Sequence, residues 1–173
     1  MKKWEFTGEE KVEFGVTLKR IRAKIGFTLK YGIEIKAGEN GGWIAKEGNL
    51  SDNAWVFDNA QVSGDARVFD NARVSGDAWV SGDAWVSGDA HYFQIGPAGS
   101  RNDYTTFMRD KAGTIYVSCG CFFGTIDEFR EKVKRTHGDN KHAKVYLAAA
   151  DLAELQIDTT PIEDEPPKEE TET

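Results

Sequence analysis

From Ile44 to His91 an aliphatic side chain returns at every sixth position: Ile44, Leu50, Val56, Val62, Val68, Val74, Val80 and Val86. Four residues after each stands a small one: Gly48, then Ala54, Ala60, Ala66, Ala72, Ala78, Ala84 and Ala90. Between them lie Asp-Asn or Gly-Asp pairs in every repeat but the first. A helix cannot keep this period on one face, because 3.6 residues per turn sends successive copies to different sides. A short strand followed by a corner can. The aliphatic points inward, its neighbour outward, the turn pair bends the chain, and the small residue fills the corner. Ordinary hairpins would need longer alternating strands joined by two-residue turns. The pattern predicts stacked coils, three hexapeptides to each, forming a triangular prism of nearly three coils.

The flanks follow different rules. Residues 1–43 form a first module: residues 2–36 alternate apolar and polar positions (Trp4/Phe6, Val12/Phe14/Val16, Ile21/Ala23/Ile25, Tyr31/Ile33/Ile35), broken by Gly8, Gly15, Gly26 and Gly32, and Gly38 to Trp43 turn into the first coil. That predicts a small antiparallel sheet leading into the prism. After residue 91 the six-residue rule fails, and residues 92–157 read as an α/β module. Strands at about 103–109 and 114–121 flank the Lys111–Gly113 turn. A helix begins at Thr125, with Glu128 in capping-box spacing, and buries Phe129 and Val133. A second helix runs from Lys141 to Leu155 with Val145, Leu147, Ala148, Leu152 and Leu155 available to pack inward. Residues 158–173, rich in Pro and Glu, are expected to be disordered. The predicted fold class is mainly β: a short parallel β-helix flanked by an antiparallel β module and an α/β module.

The repeats resemble those of the hexapeptide-repeat left-handed β-helix family, which includes acyltransferases and γ-class carbonic anhydrases; the left-handed winding is implied by that resemblance alone. The segments WEFTGEE, LKRIRAKIGF and GGWIAKEGNLSDNAWV resemble small phage and mobile-element hexapeptide-repeat proteins. The later GSRNDYTTF, CGCFFGTIDEF and THGDN resemble a module that follows the repeats in some of them. This resemblance implies a phage-like protein of the host cytoplasm, with inhibition of host defence as one use.

Charge narrows the partners. The net charge of −7 gathers in the repeats and the tail, and no segment has the basic density of a nucleic-acid footprint. No apolar run approaches a membrane span, and the start lacks a signal-peptide core. Cys119 and Cys121 give no disulfide framework, so a reducing cytoplasmic compartment is expected. A carbonic-anhydrase zinc site needs three histidines, but of His91, His137 and His142 only His91 lies on the coils, so neither metal nor cofactor is expected. His91, at the end of the last repeat, is the candidate general base of the alternative function, a short acyltransferase.

The favoured function is non-enzymatic binding of a small anionic ligand, nucleotides included, or of a host partner protein. Ser100, Arg101 and Asn102 follow a glycine-rich stretch suited to anion contacts, with Thr105, Thr106 and Arg109 on the next strand. Phe122, Gly124 and Thr125 form a turn into a helix N-terminus, where backbone donors favour an anion and Phe122 offers a stacking face. Outward-facing Trp55, Phe57, Phe69, Trp79 and Trp85 predict self-association, as a homotrimer, or else cover by the terminal segments.

Overall fold

The computed structural model describes residues 2–29, 32–51, 53–87 and 91–162. The chain is mainly β, and the repeats form a β-solenoid. β1 (Trp4–Glu13) and β2 (Val16–Ala23) form a hairpin; β3 (Phe27–Thr28) and β4 (Glu34–Ile35) form a smaller one. β5 (Asn40–Ile44) enters the solenoid. The two-residue strands β6 (Trp55–Val56), β7 (Gln61–Val62), β8 (Arg67–Val68), β9 (Arg73–Val74), β10 (Trp79–Val80) and β11 (Trp85–Val86) follow. Beyond it come β12 (Tyr92–Ala98), β13 (Asp103–Arg109), β14 (Ile115–Cys119), β15 (Phe122–Thr125), α1 (Ile126–His137) and α2 (Lys141–Gln156).

Pairing makes the coil explicit. β5, β7 and β10 stack in parallel as one face, β6 and β9 as a second, and β8 and β11 as a third that begins at the Leu50–Val68 bridge. Partners are always three hexapeptides apart, as Trp43 is from Gln61 and Gln61 from Trp79. Val56, Val62, Val68, Val74, Val80 and Val86 have no solvent exposure, and the corner alanines from Ala54 to Ala84 have at most 1%. Each valine buried in this way contributes about 1.5 kcal/mol or more. The third position of the hexapeptide turns the corner in a left-handed backbone conformation: Asp58, Gly64, Asp70, Gly76 and Gly82 have φ between 50° and 66°. Only Gly adopts this without strain, with Asp and Asn next best, which explains why the repeat alternates between them.

The first repeat departs from the rule. Glu47–Asn49 form a 3-10 turn, so Gly48 is exposed instead of filling a corner. Asn49, in the position where Arg67 faces solvent one coil later, is fully buried; its side-chain amide donates to the carbonyls of Gly64 and Ala66 in the next coil. A short amide satisfies two backbone acceptors there that no apolar residue could.

The N-terminal hairpin is not a separate sheet. β2 pairs with β5, so one five-stranded sheet runs from the hairpin down the first solenoid face. Gly41 and Gly42 allow this close approach: a Cβ on Gly41 would lie 2.7 Å from Val56 O, and one on Gly42 2.5 Å from Ala60 O.

The β12–β15 meander closes the other end of the solenoid. Along β13, Thr106 and Met108 face the last coil and accept from the backbone N–H groups of Trp79 and Ser81. Phe107, with Val117 and Ile115 of β14, faces the helices instead. Two details of this module differ from expectation: the stretch before Ser100 is a strand, β12, that continues through Gly96-Pro97, and the Phe122–Thr125 turn is a strand. α1 starts on the predicted capping box at Thr125 and buries Ile126, Phe129 and Val133. α2 buries Ala143, Tyr146, Ala149, Ala150 and Ala153, while Leu152 and Leu155 are exposed. Of the residues expected to face inward, Leu147 packs partly against this core, but Ala148, Leu152 and Leu155 do not, because an alanine face lets the helix lie closer to the sheet and α1. Residues 158–162, assigned to a disordered tail, form a strap. Arg109 holds the carbonyls of Asp158 and Thr160, and Ile162 N–H donates to Lys111 O. Residues 163–173 of that tail lie outside the described residues.

Candidate functional site

The loop between β12 and β13 and the turn between β14 and β15 lie side by side over the helix pair. Arg101 reaches across so closely that a Cβ on Gly120 would stand 2.8 Å from its Cζ. Ser100 is tied to α2: its N–H donates to the Tyr146 hydroxyl at 3.1 Å, and its Oγ lies 3.5 Å from His137 Nε2. Gly99 makes this contact possible, since any side chain there would overlap the Tyr146 ring. Between them is a cavity of about 240 Å³. Ser100, Arg101, Cys119, Cys121 and Phe122 form one wall, and Phe129, Lys132, Val133, Thr136, His137 and Tyr146 the other. Arg101, Lys132 and His137 carry or can take positive charge, and the described lining contains no carboxylate. Both cysteines are free thiols; Cys119 receives the Thr105 hydroxyl at 3.3 Å and Cys121 is exposed.

Of the nine expected ligand-binding residues, Ser100, Arg101 and Phe122 meet at this cavity. Asn102 is exposed, with φ of 50°. Thr105 and Thr106 are buried, the first against Cys119 and the second against the final coil. Arg109 is fully buried and donates to four backbone carbonyls, those of Asp110, Lys111, Asp158 and Thr160. It is a structural anchor, a correction to its expected place beside an anion. Thr125 is likewise committed: its Oγ1 accepts from Glu128 N–H while its own N–H donates to the Glu128 carboxylate. That carboxylate also packs against Gly124, so the helix N-terminus already has its anion.

Lys132, Thr136, His137 and Tyr146 were not anticipated. Their signal was present, since residues 129, 132, 133 and 136 fall on one helical face, beside the Phe129–Val133 stripe.

The outward aromatics find their neighbours within the chain. Trp55, expected at an interface, is fully buried, with Phe27 packed edge-on at 5.6 Å. Phe14 from the hairpin stacks on Trp79 at 4.7 Å. Phe69 packs edge-on against Trp85, over which Arg67 and Lys111 also sit. Phe57 packs against the solenoid core. These contacts bury Trp55 completely and cover Phe57, Phe69, Trp79 and Trp85 in part.

His91 has its Nδ1 occupied by the Ser87 N–H at 3.1 Å. Burial, and next the nearby Arg109 charge, hold it below the ordinary histidine range. It does not line the cavity above. Among the described residues no group of three or more His, Cys, Asp or Glu is placed to hold a metal ion, and no helix is long and apolar enough to cross a membrane.

The chain is a β-solenoid repeat protein. The family model described as YdcK Beta solenoid repeat matches residues 60–76, 66–82 and 72–88, windows offset by one hexapeptide. No curated protein matches the chain.

Proposed function

We propose that this protein is a non-enzymatic binding module whose ligand is a small anion bearing a single ring. The convergence of Arg101, Lys132 and His137 with two aromatic rings in one carboxylate-free cavity carries this reading. Guanidinium and ammonium donors make charge-assisted bonds to phosphate or carboxylate, and the half-buried Phe122 offers a face to a ring. Ser100 and Tyr146 add hydroxyls that either donate or accept. At about 240 Å³ the space falls below the usual range for larger ligands, which favours a one-ring phosphate ester over a dinucleotide. The left-handed sense of winding, hexapeptide-repeat ancestry and a phage-like role in sequestering a host signal belong to the same proposal; they rest on the resemblance of the repeats.

Isothermal titration with phenyl phosphate and nucleoside monophosphates tests it. Arg101→Ala should weaken binding more than about tenfold, the value of one charge-assisted bond. Melting should change little, because Arg101 is exposed. Wild-type affinity in that variant would place the anion elsewhere; a large loss of stability would make Arg101 a structural residue.

A further inference from the structure

A larger cleft, of about 560 Å³, opens where the β6–β9 face of the solenoid meets β12 and the end of α2. Its composition differs from that of the anion cavity. Phe57, Tyr92 and Phe93 supply aromatic surface, and Asp58, Arg73 and Gln94 supply polar groups of both kinds; Ser75 and Gln156 add a hydroxyl and a second amide. The described lining holds one guanidinium and one carboxylate, so neither a bare anion nor a bare cation is favoured. Gln94 Nε2 is shielded from water and finds no hydrogen-bond partner among the described residues. Asp58 is fixed at the edge of the cleft by its left-handed corner, where its carboxylate accepts from Gly76 N–H at 3.4 Å and stays exposed.

We propose that this cleft binds a neutral saccharide of one or two rings. Each sugar hydroxyl both donates and accepts, which suits a lining that contains carboxylate, amide and guanidinium together. The C–H face of a pyranose is apolar and lies flat on aromatic rings, as Phe57, Tyr92 and Phe93 permit. The volume is within the range of small-molecule clefts. This site is independent of the anion cavity, from which it shares no lining residue.

Saturation-transfer NMR on the full chain, with maltose, cellobiose, lactose and diacetylchitobiose at millimolar concentration, provides the test. At least one disaccharide should receive saturation. Asp58→Asn keeps a residue that tolerates the left-handed corner but replaces an acceptor oxygen by a donor, and should weaken binding about tenfold. Gln156→Ala, at an exposed helix end, should weaken it severalfold without loss of melting temperature. Arg101→Ala should leave it unchanged, which separates this site from the anion cavity. Silence from all four sugars overturns the proposal, as does wild-type binding in both cleft variants.

Discussion

Replacing Val68 by Asp puts a carboxyl group at the centre of the solenoid. Val68 has no solvent exposure and sits between Leu50 and Val86, its partners in the coils on either side. Losing the buried valine forfeits about 1.5 kcal/mol. An aspartate there must be neutral to remain, and protonating it at pH 7 costs about 4 kcal/mol, roughly three pH units above its ordinary value. The sum, at least about 5 kcal/mol, rivals the whole stability of many domains. For a chain of this size that lowers Tm by about 10–20 °C, or abolishes folding. Melting followed by circular dichroism should show the deficit at pH 7. It should shrink by more than half near pH 4, because the protonation cost disappears there. A simple packing defect would show no such recovery. Wild-type melting would mean that residue 68 does not face the interior; a deficit independent of pH would mean that the new carboxyl group is not held there in its neutral form.

Asn49→Leu fits the space but leaves the carbonyls of Gly64 and Ala66 without a donor; a loss of about 1–3 kcal/mol is expected in denaturant unfolding. An unchanged midpoint would show that those carbonyls find other donors. Arg109→Met removes four bonds to backbone carbonyls, and should release the 158–162 strap. Hydrogen exchange at the Ile162 amide should then rise to nearly the free-peptide rate, and retained protection would show that the strap is held by other contacts.

The solenoid was legible because its period of six has one physical solution, and because inward and outward positions alternate within each two-residue strand. Its exceptions were not. Asn49 occupies an outward position in the repeat, and only the 3-10 turn before it swings its amide inward. The capping box at Thr125 could be read because it is local, spanning three residues. The buried face of α2 could not, since Leu152 and Leu155 satisfy a hydrophobic pattern while packing distance selects Ala143, Ala150 and Ala153. Arg109 looked like an anion ligand because its true partners, Asp158 and Thr160, lie about fifty residues away. Ser100, Arg101 and Phe122 marked one wall of the anion cavity; the other wall comes from α1 and α2, which the loop sequence does not reveal. The larger cleft draws on β4's approach, two coils, β12 and α2, and leaves no contiguous motif.

Because three hexapeptides close a coil, the number of repeats sets an angle as well as a length. Adding a whole coil would move the β12–β15 meander about 4.8 Å along the axis and keep it over the same face. Adding a single hexapeptide would instead swing the meander and both helices a third of a turn relative to the N-terminal hairpin. The wall made by Phe57, Asp58 and Arg73 would then face a different side of the solenoid from Tyr92 and Gln94, and the cleft would no longer exist. Repeat arrays lengthen and shorten readily, but here only changes of three units leave the two ends of the molecule in phase.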